Sequence, residues 1–259
     1  IKCLNNYIYY KIMSKILMVK KVLRFISIYG ISRTLIKVIA RKRLKIPFWI
    51  FLSFPNYLKN GKTIGFIGCG HQTYSSLAYF ITALTNFKII WTYDINRNVV
   101  NSMNVAYGIK NIDDTIKLED YELPDVVYIV SNHASHTDYA INYIEKGCDV
   151  YIEKPISINK KQFALLSKAI DNSKSNIYVG YNRPFSKAIK LLKKNAKGLK
   201  KPFTLNCFVI GHLINDDHWY RDPKEGSRIV SNLGRWIDLF VHIYYWNNCF
   251  QYYCLGSWF

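Results

Sequence analysis

A glycine-rich turn placed directly after a short apolar strand constrains the fold of this chain more than any other feature. Residues 62–67 have the apolar composition of a buried strand, and Gly68-Cys69-Gly70 follows just before residues that suit a helix. Glycines at such a point let the backbone approach a pyrophosphate, whose charge is met by amides at the helix N-terminus. Because Thr73 stands where the third glycine of G-x-G-x-x-G would be, the turn alone is a weak signal.

Asp94 strengthens this interpretation through its spacing. It lies 26 residues after Gly68, at the end of a second predicted strand, 88–93. A carboxylate at that point can accept hydrogen bonds from both ribose hydroxyls of an adenosine. In the alternative interpretation, Asp94 only caps the helix that follows. Arg97 is close enough to attract a 2′-phosphate instead, so these residues leave NAD and NADP open.

Apolar strands alternate with helices over the next hundred residues, and this pattern predicts a parallel, doubly wound α/β sheet of the Rossmann type. After Pro184 the pattern changes to two strands and two helices, a poor independent core, so the second domain is either incomplete here or closes against something else. The predicted strands are 62–67, 88–93, 125–130, 149–152, 176–180, 203–210 and 250–259, and the predicted helices are 73–85, 98–107, 135–146, 159–172, 185–196 and 232–246.

The basic charge of the chain is concentrated in its first 60 residues. They contain thirteen Lys and Arg and no acidic residue, which leaves +6 of the net +19 for the rest of the chain. No nucleic-acid recognition motif accompanies this charge, so we expect no nucleic-acid partner. Residues 16–40 predict a basic amphipathic helix broken near Gly30. Such a helix can pack on its own protein or lie on an anionic membrane surface.

Other features of the composition favour a cytoplasmic protein with reduced thiols. The six cysteines are scattered, without metal-ligand or disulfide spacing, and no third ligand accompanies His212 and His218, so we expect no metal site. The apolar stretch 47–58 is shorter than the roughly 20 residues of a spanning helix. The chain begins with Ile1, and its first methionine is Met13. We therefore expect residues 1–12 to be upstream reading frame or the edge of a fragment.

The sequence Glu153-Lys154-Pro155 follows the predicted strand 149–152. The carboxyl ends of parallel strands face the ligand crevice, so a charged pair there is well placed for function. A lysine beside a nicotinamide ring can hydrogen-bond a substrate hydroxyl and help to move its proton. The alternative is an ordinary surface ion pair.

Taken in order, the segments GFIGCG, YDIN, SNHASHTDYAI, VYIEKPI and VGYNRPF resemble the glucose–fructose oxidoreductase / inositol dehydrogenase / MocA (Gfo/Idh/MocA) family of NAD(P)-dependent oxidoreductases. The resemblance implies a Rossmann domain followed by an α+β domain with an open, mainly antiparallel sheet. It also implies hydride transfer to or from a hydroxyl or keto carbon of a sugar or related compound. Residues 211–246 resemble a branch associated with surface-polysaccharide sugar synthesis, which suggests a nucleotide-sugar substrate.

The resemblance divides the chain into a leader (1–61), a dinucleotide-binding domain (62–182) and a truncated substrate domain (183–259). It also implies a homo-oligomer formed through the sheet of the second domain. The site residues that it implies are Gly68, Gly70, His71, Asp94, Ser131, Asn132, His136, Glu153 and Lys154 for the cofactor, Arg183, His218 and Tyr220 for the substrate, and Lys154, Arg235 and Asp238 for catalysis.

Arg235 departs from the family pattern, which has a histidine at the start of H-x-x-D. Arginine stays protonated and cannot act as a general base, although it can bind an anionic substrate. Proton transfer would then fall to Lys154, or to His218 or Tyr220 if their loop folds inward. Two further hypotheses remain: a dinucleotide-binding protein that does not catalyse, favoured by Arg235 and the early end at Phe259, and a membrane-surface module that acts through the leader.

Overall fold

A five-stranded parallel sheet forms the centre of the molecule. The computed structural model describes residues 2–52, 55–112, 115–196, 206–209 and 214–247. The sheet has the strand order β2-β1-β3-β4-β5, and every neighbouring pair is parallel. The strands are β1 (Thr63–Ile67), β2 (Lys88–Tyr93), β3 (Val126–Ile129), β4 (Asp149–Ile152) and β5 (Ile177–Val179).

Helices cover both faces of this sheet, which confirms the predicted Rossmann fold. A π-helical segment, Thr73–Leu77, precedes helix α3. The helices are α1 (Lys2–Tyr29), α2 (Ile31–Lys42), α3 (Ala78–Leu84), α4 (Arg97–Tyr107), α5 (His136–Glu145), α6 (Lys160–Asp171), α7 (Lys187–Ala196) and α8 (Ser227–Asn247).

Two hydrophobic clusters form the core, one on each face of the sheet. Side chains alternate between the faces of a strand, so Phe66 joins the cluster under α3 and α4, whereas its neighbour Ile67 joins the cluster under α5 and α6. Trp91 is fully buried in the second cluster, and its indole nitrogen donates to the carbonyl of Glu122 at 2.8 Å. Each large side chain buried in this way contributes about 1.5–3 kcal/mol.

The leader packs on its own protein along helix α2. Gly30, with φ +85°, separates α1 from α2, as the sequence predicted. Ile36, Ile39 and Ala40 of α2 are buried, and they join the first core cluster together with Phe48. The apolar face of α2 is therefore covered by the Rossmann domain. No helix among the described residues is both long and apolar enough to cross a membrane.

Residues just before β1 cover the outer edge of β2. The side chain of Asn56 accepts a hydrogen bond from the amide of Ile89 and donates one to its carbonyl, both at 2.8 Å. The ammonium group of Lys59 is buried and donates to the carbonyls of Thr82 and Thr85 at the end of α3. These contacts satisfy main-chain groups that an edge strand and a helix C-terminus would otherwise leave open.

The elements after the Rossmann domain differ from the prediction in two places. Helix α8 begins at Ser227, several residues before the predicted start at 232, because Asp222 and Gly226 shape a short turn that leads into it. Residues 206–209, the part of the predicted strand 203–210 that the structure describes, form no strand. The predicted strand 250–259 lies outside the described residues, and the antiparallel second sheet remains a prediction.

Candidate functional site

The turn after β1 is shaped by Gly68. Its φ of +92° lies in the region that glycine adopts without strain, and a Cβ atom there would lie 2.5 Å from the carbonyl carbon of Val130. Its amide donates to the carbonyl of Tyr93 at 2.8 Å. Gly68 therefore lies where the carboxyl ends of β1, β2 and β3 meet. This is the point where the strand order reverses, and ligands of open α/β sheets bind there.

Asp94 is hydrogen-bonded directly to this turn. One of its carboxylate oxygens accepts from the amide of Cys69 at 2.8 Å, and the other accepts from the amide of Asn96 at 2.9 Å. Each carboxylate oxygen has a second lone pair, so the group can still accept from two hydroxyls. Because Asp94 is partly exposed beside the turn, its position fits the predicted contact with an adenosine ribose.

The helical segment after the turn begins at His71 and presents its first amides beside Gly70. Open space surrounds the position where a Cβ of Gly70 would lie, so the turn is uncovered on that side. The hydroxyl of Thr73 donates to the carbonyl of Gly68 at 2.6 Å and so holds the turn against the helix. Thr73 thus stabilises the turn at the position of the missing third glycine.

The loop after β3 contributes a second group of the predicted residues. The hydroxyls of Ser131 and Ser135 lie 2.7 Å apart, and the hydroxyl of Ser135 donates to the side-chain oxygen of Asn132 at 2.8 Å. The ring of His136 is fully buried, and its nitrogens lie 2.8 and 3.1 Å from the carbonyl oxygens of Pro155 and Ser131. His136 therefore positions the ends of β3 and β4 from inside the fold.

A turn that precedes α8 docks onto this loop. The carboxylate of Glu225 accepts from the side-chain amide of Asn132 at 2.7 Å and from the main-chain amide of Ala134 at 3.0 Å. The ring of His133 contacts Trp219, with the ring centroids 4.9 Å apart. Burial lowers the pKa of His133 to about 4, so the ring is neutral at pH 7. The segment at 219–226 is thereby held over the carboxyl ends of the strands.

Lys154 meets this segment at the mouth of the crevice. Its ammonium group donates to the hydroxyl of Tyr220 at 3.2 Å, and that hydroxyl donates to the side-chain oxygen of Asn232 at 3.4 Å. Tyr220 therefore lies inward, as the proton-transfer hypothesis requires. His218 is exposed, and its Nδ1 accepts from the amide of Tyr220 at 3.1 Å. In this arrangement His218 shapes the turn that carries Tyr220.

Three charged residues influence the hydroxyl of Tyr181. Burial is the main cause of its raised pKa; Asp238 raises that pKa further, Arg235 lowers it, and Glu153 raises it. Arg235 also lowers the pKa of Glu153, which burial raises. A Cβ on Gly234 of α8 would lie 3.2 Å from the hydroxyl of Tyr181, so α8 packs against the residues that follow β5. A Cβ on Gly180 would lie 2.7 Å from the Glu153 carboxylate, so the glycine that follows β5 leaves room for the Glu153 side chain.

Buried polar atoms without hydrogen-bond partners concentrate in the same region. Among the described residues they include Nε of Arg183, Nε of Arg235 and Oδ2 of Asp238. Burial raises the pKa of Asp238 to about 6. The guanidinium of Arg183 lies 3.8 Å from the ring centroid of Trp236, in a cation–π contact. No cluster of three metal-binding side chains occurs among the described residues.

Residues 62–181 match the profile of a family described as "Oxidoreductase family, NAD-binding Rossmann fold" (GFO_IDH_MocA). The matched segment contains the glycine turn, Asp94 and the Glu153–Pro155 sequence. This domain belongs to the Gfo/Idh/MocA family. It is a NAD-binding Rossmann domain of an oxidoreductase family, as the sequence motifs predicted.

Curated relatives of this chain agree with the match. The chain is 28% identical over 175 residues to Oxidoreductase P35 of Formosa agariphila, covering 66% of this chain and 51% of that protein. It is 22% identical over 190 residues to glucose-6-phosphate 3-dehydrogenase of Bacillus subtilis, covering 70% and 51%. The chain thus spans about half the length of the curated relatives it matches.

Solved structures of similar fold include the WlbA dehydrogenase of Chromobacterium violaceum in complex with NADH and UDP-GlcNAcA. It is 19% identical and covers 57% of this chain and 42% of its own, with a TM-score of 0.49.

Several neighbours in the Gfo/Idh/MocA site were not anticipated from the sequence. Tyr181, Asn232 and Glu225 were not among the predicted site residues, yet each contacts or electrostatically influences one of them. Tyr181 lies two residues before the predicted Arg183 and two residues after the end of β5, and that strand-end position was the available signal. Asn232 and Glu225 carry no comparable local pattern.

Proposed function

We propose that this chain is the cofactor-binding part, with the beginning of the substrate domain, of an NAD(P)-dependent oxidoreductase. Its substrate would be a sugar or nucleotide sugar with a hydroxyl or keto carbon that exchanges a hydride with the cofactor, in surface-polysaccharide synthesis. The observation that carries the proposal is the contact of Lys154 with Tyr220 at the carboxyl end of β4. This contact joins the ammonium group of Lys154, in the Rossmann domain, to Tyr220 in the segment that leads into α8.

The residues of the turn fit a dinucleotide. Gly68 supplies the positive φ of the turn, Gly70 leaves room for a backbone–phosphate approach, and the first amides after Gly70 lie at a helix N-terminus. Asp94 keeps lone pairs for the adenosine ribose, and Ser131 and Asn132 would lie on the nicotinamide side. When bound, the nicotinamide would supply or accept the hydride.

The remaining chemistry falls to side chains of this chain. The ammonium group of Lys154 can donate a hydrogen bond to a substrate oxygen, while Tyr220 and Asn232 hold it in place. Asp238, whose pKa is raised to about 6, can accept a proton near neutral pH. Arg235 would bind an anionic group of the substrate, because its charge is permanent.

A second candidate function is dinucleotide binding without turnover. Arg235 favours this function, because the arginine replaces the histidine that the family uses for proton transfer.

A third proposal, a membrane-surface role for the leader, is supported by the exposed Leu17 and Leu23 of α1, which lie among Lys20, Lys21 and Arg24. Sedimentation with anionic liposomes, and not with neutral ones, is the result expected for that role.

Fluorescence titration with NADH and NADPH tests the leading proposal. We expect the protein to bind at least one of them, and we expect Asp94→Ala to shift preference toward NADPH, because a carboxylate repels a 2′-phosphate. Asp94→Asn is the matched control, since it removes the charge but keeps an acceptor for the Cys69 amide. A folded sample that binds neither cofactor would contradict both candidate functions. Binding without turnover of any sugar nucleotide would favour the second.

A further inference from the structure

Helix α2 carries a row of cations toward the glycine turn. Arg33, Lys37 and Arg41 are spaced four residues apart, so they share one face of the helix. Arg43 follows directly after the helix end, in a left-handed conformation with φ +50°. We call these four residues the cationic edge.

Hydrogen bonds attach both ends of the cationic edge to the glycine turn and the helix after it. The guanidinium of Arg43 donates to the carbonyl of Cys69 at 2.9 Å, within the turn itself. The guanidinium of Arg33 donates to the hydroxyl of Ser76 at 2.9 Å, in the helical segment after the turn. The buried residues Ile36 and Ile39 hold α2 in this position from its apolar face.

The positive charge of this edge is not balanced within the leader. Like charges four residues apart destabilise a helix by about 0.2–0.5 kcal/mol per pair, and residues 1–60 contain no acidic residue. Arg33 is only 8% exposed, and among the described residues its Nη1 has no hydrogen-bond partner. A buried guanidinium normally has a carboxylate partner, whereas Arg33 lies against the rings of Tyr79 and Phe80.

The edge acts on the first residue after the glycine turn. The pKa of His71 is lowered by partial burial first, and then by Lys37, Arg41, Arg43 and Arg33. Arg43 and Arg33 are hydrogen-bonded to residues on either side of the amides that begin the helix after Gly70, and Lys37 and Arg41 lie between them on the same face of α2. His71 is also tied to this helix, since its Nδ1 lies 3.3 Å from the hydroxyl of Ser75.

We propose that the cationic edge is part of the cofactor site and binds a phosphate group of the dinucleotide, so that the leader and the Rossmann domain form one binding site. The inference rests on the proposed function, because it presupposes that a dinucleotide binds at the turn. The phosphate is either the pyrophosphate, common to both cofactors, or the 2′-phosphate of NADP. Both are oxyanions that arginine and lysine bind by charge-assisted hydrogen bonds.

Titration of the full chain with NADH and NADPH tests the proposal. We expect Lys37→Ala and Arg41→Ala each to raise the Kd roughly two- to fivefold, the range for a partly exposed contact between opposite charges. Lys42→Ala is the matched control, because it removes the same charge from an exposed neighbour that does not act on His71. The effect should weaken at high salt, where exposed charges are screened.

A comparison of NADH binding with NADPH binding distinguishes the pyrophosphate from the 2′-phosphate as the group that the edge binds. Equal weakening of NADH and NADPH binding assigns the edge to the pyrophosphate, and weakening of NADPH alone assigns it to the 2′-phosphate. If the Lys37 and Arg41 variants bind both cofactors as the Lys42 variant does, the edge is not part of the site, although the proposed function stands. If the unmodified folded protein binds neither cofactor, the proposed function fails and this inference fails with it.

Discussion

The ammonium group of Lys154 lies 3.2 Å from the hydroxyl of Tyr220, a residue 66 positions further along the chain. This contact joins the carboxyl end of β4 to the segment that leads into α8. It also places a fixed proton donor at the mouth of the crevice. The consequences of this geometry can be measured separately from cofactor binding.

Lys154→Met should lower kcat by about 10²–10⁴-fold, the usual contribution of general acid–base catalysis, while the Kd for cofactor changes little. Tyr220→Phe should have a smaller effect, because it removes the partner of Lys154 and leaves the ammonium group in place. Steady-state kinetics on candidate sugar nucleotides, with cofactor titration alongside, measure both. Parent-like turnover in Lys154→Met would show that the lysine is not a proton donor.

Gly68→Ala should abolish cofactor binding and destabilise the domain. The new methyl carbon would lie 2.5 Å from the carbonyl carbon of Val130, and the positive φ would cost roughly 1–2 kcal/mol in addition. Gly147→Ala is the control, since Gly147 has φ +81° but open space around it. Thermal unfolding and titration compare the two variants. Similar losses in both would mean that strain alone, and not the approach to Val130, constrains the turn.

Arg235→His should raise KM for a sugar substrate that carries a phosphate or carboxylate, because a permanent cation is lost from beside Glu153. For a neutral sugar the change in KM should be small. Kinetics with matched anionic and neutral substrates would separate these cases. A marked increase in turnover, with a pH profile set by a group titrating near neutrality, would instead show that the parent chain lacks a general base.

The carboxyl of Asp238 should make the chain less stable as the pH rises toward neutrality. Burial raises its pKa from 3.8 to about 6, so the folded state favours the protonated form. Its stabilising contribution is complete below pH 3.8 and is lost as the pH rises through about 6. Asp238→Asn should therefore raise Tm relative to the parent at pH 7, with little difference near pH 4. A Tm difference of the same size at both pH values would contradict this assignment.

The Rossmann domain was predictable because its signals are local. Each of its strands is a short apolar run, and Gly68 and Asp94 lie at fixed places relative to two of them. The contacts of the site were less predictable, since Tyr220 and Glu225 reach the crevice through a loop without a regular pattern. The packing of α2 was left open for a similar reason, because an amphipathic helix shows which face it buries but not which surface covers that face.

The position of Ile36 and Phe48 in the core has a consequence for synthesis of the chain on the ribosome. Helix α2 emerges before β1, α3 and α4, which supply most of the cluster that covers it. At a translation rate of about 5–20 residues per second, the apolar face of α2 stays exposed for several seconds until Tyr107 has been added. During that interval the basic residues on its other face are the main feature that opposes association between nascent chains.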